Sequence, residues 1–131
     1  MMQNLDQIRA CNAYNSTRGE TFSGKAGGEV AKKIPALIIE HGLLATLAFA
    51  LENNSKGKGV NSGHEAVLDT VAQHLSSKGI ERLPAGIRTA EKWFEFLVKT
   101  ANSQQLREQT DEAMNYLSYF RRFATKSGQG G

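Results

Sequence analysis

The segment that decides the fold is residues 32–51, KKIPALIIEHGLLATLAFAL, which carries two helical patterns in succession. In the first pattern, Val30, Ile34, Leu37 and His41 recur at helical spacing, while Lys25, Glu29 and Lys32 share another face. This spacing predicts an amphipathic helix with one solvated side. A histidine on the apolar face is typical of a hydrogen-bonded core residue, which is the role we predict for His41.

The second pattern is apolar on every side, because only Thr46 is polar between Leu43 and Leu51. A helix of this kind must be covered by other helices or lie in a membrane. A membrane span is disfavoured, since residues 34–51 have the minimum length for one and are interrupted by Pro35, Glu40, His41 and Gly42. A charge near mid-span costs about 2.5–3.5 kcal/mol. We therefore expect a buried central helix at about 42–52 and no membrane contact.

Length and composition fit one soluble domain. A chain of 131 residues with 40% hydrophobic residues can bury a single core. Cys11 is the only cysteine, which excludes a disulfide framework and a thiolate metal site. No apolar run follows Met1, so we expect no signal peptide and a cytoplasmic location. We predict one helical domain over residues 1–126, with a flexible loop at about 53–63 and a disordered tail at 127–131.

Nearly every segment has helical spacing, and none alternates with a period of two as strands do. The sequence therefore predicts an all-α fold, a compact bundle of about six helices around the central helix. Four further apolar stripes are expected to form the core: Leu5, Ile8, Cys11 and Tyr14; Val67, Leu68, Val71, Ala72 and Leu75; Ile87, Ala90, Phe94, Leu97 and Val98; and Leu106, Ala113, Tyr116, Leu117, Phe120, Phe123 and Ala124.

Glycines, prolines and capping residues predict where these helices begin and end. We expect a glycine-rich loop at Gly19–Gly28 and a helix stop at Gly79. Pro35 and Gly42 predict kinks or breaks in the helical segment that contains them. Ser62 and Glu65 form a capping-box pattern, Leu83-Pro84 is expected to open a helix, and Ser103 is expected to cap the last one.

No pattern in the sequence predicts catalysis, a metal site or a cofactor. Residues 19–26 nearly match a phosphate-binding loop, but Ala26 stands where that loop needs a hydroxyl for magnesium, and no buried strand precedes it. His64 and His74 are about 80° apart on one helix and lack an acidic or sulfur companion at ligand spacing. We expect no nuclease, ATPase or metal-dependent activity.

Clusters of positive charge remain as candidate binding residues, in a chain of net charge +3. Taken singly, each cluster is explained by a solvated helix face or by the favourable position of a cation near a helix C-terminus. Together, and without an active site, they predict a surface that contacts phosphates. The candidates are Lys32, Lys33, Lys56, Lys58, Arg88, Lys92, Lys99, Arg121, Arg122 and Lys126, of which Arg88, Lys92 and Lys99 are expected on one helix face, within about 40°.

The aromatic residues lie on the core stripes rather than among these charges. We therefore expect contacts with the phosphate backbone and not base stacking. A helix-turn-helix DNA reader is the natural rival, but its helices are joined by 3–4 residues. The gap expected here, from Lys78 to Ala85, is longer, which argues against that motif without excluding it.

Residues 34–38 (IPALI) and 42–49 (GLLATLAF) are similar to the pattern Lys-x-x-Pro-x-x-Ile-x-x-x-Gly-Leu-x-x-Thr-Leu-Ala-Phe. This pattern marks a known family, the small helical subunit of the Cmr-type (type III-B) CRISPR effector complex, which the chain resembles. Residues 112–124 (EAMNYLSYFRRFA) resemble its closing helix, where a basic residue precedes Phe-Ala. Chain length and helix order match as well, so the resemblance extends over nearly the whole chain.

The resemblance implies a non-catalytic subunit of a ribonucleoprotein in antiviral defence. Such subunits stack into a short filament beside the backbone subunit and help to form the groove for guide and target RNA. The implied partners are copies of this chain, the backbone subunit, the large polymerase-like subunit, guide RNA and single-stranded target RNA. Guide–target pairing would then read sequence, while the protein reads shape and phosphates. The alternative is a helical adaptor that binds only protein.

Overall fold

A computed structural model describes residues 4–18, 24–52 and 61–129 of the chain. Within these ranges every regular element is a helix, which confirms the all-α prediction. The six helices are α1 (Leu5–Thr17), α2 (Gly24–His41), α3 (Leu43–Ala50), α4 (Ser62–Leu75), α5 (Ala90–Lys99) and α6 (Ser103–Gln129). Residues 53–60, most of the expected flexible loop, lie outside the described part, and α6 ends at Gln129, within the segment where we expect a tail.

The long helix α6 organises the bundle, because α2 and α1 pack along it and α4 contacts it as well. Helices α3 and α5 complete the bundle against α4. The stripes predicted for α4 and α6 are confirmed, since Leu68, Leu75, Tyr116, Leu117 and Phe120 are all fully buried. One core therefore serves the whole described chain, and the outer faces of α2, α5 and α6 are left for binding.

Helix α3 is buried on one face only, which corrects the expectation of a helix covered all round. Leu43, Leu47 and Ala50 are buried, whereas Ala45 is exposed and Phe49 retains 40% of its surface. The neighbours α2, α4 and α5 leave the opposite side open.

In α2 the buried side is formed by Ala31, Ile34 and Ile38, one step around the helix from the predicted stripe. His41 ends the helix with 59% of its side chain exposed, so its predicted role in the core is wrong. The predicted loop over residues 19–28 is also too long, because α2 already begins at Gly24. Pro35 lies inside α2, while the break falls at Gly42, as predicted.

Helix α1 buries a different face from the predicted one. Cys11 and Tyr14 are exposed, and the side turned inward carries Arg9, Asn12 and Ala13. The polar members of this face find buried partners on α4 and α6, described below, while Ile8 of the predicted stripe is partly buried against the core.

The starts of α4 and α6 differ from the predictions. Asn61, not Ser62, precedes α4, and its side chain donates to the Phe49 carbonyl instead of closing a capping box. Asn102, one residue before the predicted Ser103, accepts from the backbone N–H of Gln105 and caps α6. Helix α4 ends at Leu75, before the predicted stop at Gly79.

No helix opens at Leu83-Pro84. The backbone N–H groups of Arg82 and Leu83 both donate to the Leu75 carbonyl, which folds the chain back across the end of α4. Helix α5 begins only at Ala90, after Thr89 accepts from the backbone N–H of Lys92. The core of α5 is Ala90, Leu97 and Trp93, and Val98 of the predicted stripe is exposed.

Gly42 joins α2 to α3 with φ 88° and ψ 163°, a conformation that is almost confined to glycine. We expect Gly42→Ala to lower the free energy of unfolding by about 1–3 kcal/mol through backbone strain alone, since open space surrounds the position of the new methyl group. Urea denaturation measures the loss. The matched control is Gly86→Ala, where the methyl group also meets open space, and equal stability of the two variants would contradict the prediction.

Candidate functional site

A buried polar cluster ties α1, α4 and α6 together. Arg9 donates through Nε and Nη2 to the two carboxylate oxygens of Glu112, each at 2.8 Å. His74 Nε2 donates to Glu112 Oε2 at 2.9 Å, and Asn12 Nδ2 donates to His74 Nδ1 at 2.9 Å and to the Ser77 hydroxyl at 3.1 Å. This set of bonds places the histidine proton on Nε2. We call these residues the Glu112 cluster.

The environment of Glu112 keeps it ionised. Burial by itself raises the pKa of this carboxyl, which is only 3% exposed, but hydrogen bonds from Arg9 and His74 and the charge of Arg9 outweigh burial. The pKa of Glu112 falls from 4.5 to about 2 as a result. His74 stacks on the Tyr116 ring with centroids 4.4 Å apart. The hydrogen bonds of the Glu112 cluster join residues of the protein to one another. The cluster therefore fixes the position of α1 against α4 and α6.

The sequence did not predict this cluster, because no acidic residue lies at ligand spacing from His74. A signal was present, because Gln109 and Glu112 continue the apolar stripe of α6 towards its N-terminus and are both buried. The Gln109 side chain forms a second set of buried hydrogen bonds. It accepts from Trp93 Nε1 at 2.8 Å and donates to the Arg82 carbonyl at 3.0 Å. This contact fastens the connection between α4 and α5.

The candidate cations of α2 and α6 point away from the core. Lys32 and Lys33 are exposed on α2, and Arg121 and Arg122 are exposed on α6, beside the buried Phe120. Lys33 lines an apolar groove of about 340 Å³ between α2, α3 and α4. Burial, and then the charge of Lys33, lowers the pKa of His64 in the same groove. The two pairs lie on helices that pack together.

The α5 cluster differs from the prediction. Lys92 and Lys99 lie on α5 and line one groove of about 320 Å³, together with Glu95, which is 3.7 Å from the Lys99 ammonium. Arg88 precedes the helix, so it is not on the predicted helix face, although it is exposed as expected. Its carbonyl accepts from Gln73 of α4.

An aromatic ring does lie among these charges, contrary to prediction. Phe96 lines the groove of Lys92 and Lys99, and it also lines a larger cavity of about 700 Å³ that carries Lys78 and Arg82. Neither of the latter two cations was among the sequence candidates. They were missed because they belong to the irregular connection between α4 and α5, which periodicity does not place.

Three candidates are not located by the structure. Lys56 and Lys58 lie outside the described residues, and Lys126 lies in α6 with its side chain outside them. In the part of the chain that is described, no three histidine, cysteine, aspartate or glutamate side chains come together to hold a metal ion. Nor is any helix there long and apolar enough to cross a bilayer. The α4–α5 connection, residues 76–89, is far longer than the turn of a helix-turn-helix motif.

Comparison with known proteins agrees with the fold. The model of a family described as CRISPR-associated protein (Cas_Cmr5) matches residues 5–127. The chain is also similar to the X-ray crystal structure of a CRISPR-associated Cmr5 family protein from Thermus thermophilus. The TM-score is 0.67 at 26% sequence identity, with 95% of this chain and 97% of that chain covered. Among curated proteins, none matches the chain. Because the family match spans nearly the whole sequence and the structural match extends over the same fold, the chain belongs to the Cas_Cmr5 family and is a Cmr-type CRISPR subunit.

Proposed function

We propose that this chain is a non-catalytic small subunit that stacks with copies of itself in a cytoplasmic Cmr-type complex and helps to hold guide and target RNA. The observation that carries the proposal is the exposure of the candidate cations. Among the described ones, only Lys99 has a carboxylate within 4.0 Å. Cations without acidic partners remain available to phosphates, and each phosphate that they neutralise releases counterions.

The apolar surface supports the stacking part of the proposal. Ile39 on α2 is 75% exposed, and Phe49 and Val98 are exposed on α3 and α5. Large apolar side chains at the surface favour contacts with other proteins. Neighbouring subunits would cover this surface and bring the cations of successive copies onto one RNA.

The test is to assemble complexes that carry Arg121→Ala with Arg122→Ala, or Lys32→Ala with Lys33→Ala, and to titrate target RNA at two salt concentrations. We expect weaker binding and a shallower salt dependence, by about 0.7–0.9 units of log–log slope for each lost phosphate contact. Arg107→Ala is the control, since Arg107 is an exposed cation of α6 outside the candidate set.

The opposite result is equally clear. If both double variants assemble normally and match the wild type in affinity and salt slope, the clusters are solvated faces. The chain would then be a protein–protein adaptor that does not contact RNA, which is the alternative left open by the sequence.

A further inference from the structure

Phe96 lies between the two basic cavities described above, which adjoin along α5. We call the combined surface the Phe96 groove, formed by Phe96 with Lys78 and Arg82 on one side and Lys92 and Lys99 on the other. Phe96 is half-buried and lines both cavities, so part of its side chain reaches their surface. The larger cavity, about 700 Å³, is in the range of sites that enclose small organic molecules.

The charge of the groove is positive even after its acidic residues are included. Four cations face two carboxylates, Glu81 and Glu95, and each carboxylate has an internal contact. Glu95 is 3.7 Å from Lys99, and Glu81 accepts from the backbone N–H of Gly79 at 3.3 Å. The balance of two positive charges favours an anionic ligand.

Contacts to backbone carbonyls hold the larger cavity in shape. Arg82 Nη1 donates to the Ile80 carbonyl at 2.7 Å, which fixes the guanidinium at the edge of the cavity. The Arg82 carbonyl accepts from the buried Gln109, and the turn before it contains Gly79 at φ 90° and Glu81 at φ 50°. A site whose parts are already ordered loses little entropy when it binds.

We propose that the Phe96 groove binds an unpaired nucleotide of single-stranded RNA, with the base stacked on Phe96 and the flanking phosphates held by the four cations. An open aromatic ring between cations is the combination by which proteins hold single strands without reading sequence. Duplex RNA does not offer such a base, since its bases are stacked on each other. The inference rests on the proposed function, to which it adds a stacking contact and a defined position.

The test uses the purified chain, a fluorescein-labelled oligouridylate and an RNA duplex of the same length, with binding measured by fluorescence anisotropy. We expect Phe96→Leu to weaken binding of the single strand about tenfold and to leave duplex binding unchanged. Phe96→Tyr keeps the ring and is expected to bind as the wild type does. Phe94→Leu is the matched control, because Phe94 is a half-buried aromatic of the same helix that does not line the groove.

Three results would overturn the inference. They are no binding of oligouridylate by the wild type, equal binding by Phe96→Leu and the wild type in samples with the same unfolding midpoint, and competition by uridine monophosphate as strong as by the oligomer. The last result would assign the groove to a free nucleotide. If the Phe96 variants have no effect while the Arg121/Arg122 complexes lose RNA affinity, the groove inference fails and the proposed function stands.

Discussion

Glu112→Ala is expected to lower the free energy of unfolding by about 3–5 kcal/mol, because it leaves the Arg9 guanidinium and the buried His74 ring without their shared acceptor. That loss is a large share of a total stability of about 5–15 kcal/mol. Chemical denaturation followed by far-UV circular dichroism measures it. Asp111→Ala is the control, since Asp111 is the exposed neighbour on the same helix, and we expect its effect to stay within about 0.5 kcal/mol.

Acid titration gives an independent check on the same carboxylate. Since its pKa is 4.5 ordinarily and about 2 in the folded protein, its contribution is complete above pH 4.5 and is lost as the pH falls towards 2. The difference between the two pKa values of Glu112 corresponds to about 3 kcal/mol of folding free energy. The wild type should therefore lose more stability across this window than Glu112→Ala does. Parallel stability curves for the two proteins would show that Glu112 is not held ionised by the cluster.

Leu47→Asp is expected to unfold the protein, because Leu47 is fully buried in α3 against the common core. The substitution removes an apolar side chain and places a charge where no partner is available, which costs several kcal/mol. The measurement is thermal unfolding together with near-UV circular dichroism, which reports the packing around Trp93.

Ala48→Asp is the matched control for this prediction. Ala48 is the next residue of α3 and is exposed, so its variant should lose less than about 1 kcal/mol, mostly through helix propensity. The contrast between adjacent positions tests the one-sided burial of α3 directly. An unchanged unfolding midpoint for Leu47→Asp would place this residue on the surface and contradict the packing of the bundle.

The apolar stripes of α4 and α6 were the most predictable part of the fold. They are buried as expected, since a broad apolar face has only one favourable place, which is the core. Helices α1, α2 and α5 were less predictable. In α1 a few apolar residues face solvent, and Arg9 and Asn12 turn inward because Glu112 and His74 offer them hydrogen bonds.

The positions of the candidate cations were also only partly predictable from the sequence. That at least one of Arg121 and Arg122 is exposed could be predicted, because both cannot be buried against the core that takes Phe120, and the structure exposes both. The grouping of Lys78 and Arg82 with Lys92, Lys99 and Phe96 could not, since these residues belong to different elements.

By itself, the sequence determined the helical class, the buried stripes of α4 and α6, the exposure of the candidate cations whose side chains are described, and the family, since all of these depend on residues that are close in the chain. Only the tertiary structure decided which side of α1 and α3 is covered, where the connection between α4 and α5 runs, and which polar groups meet. The reason is that the Glu112 cluster and the Phe96 groove join residues far apart in sequence, and their pairing is fixed by how whole helices pack.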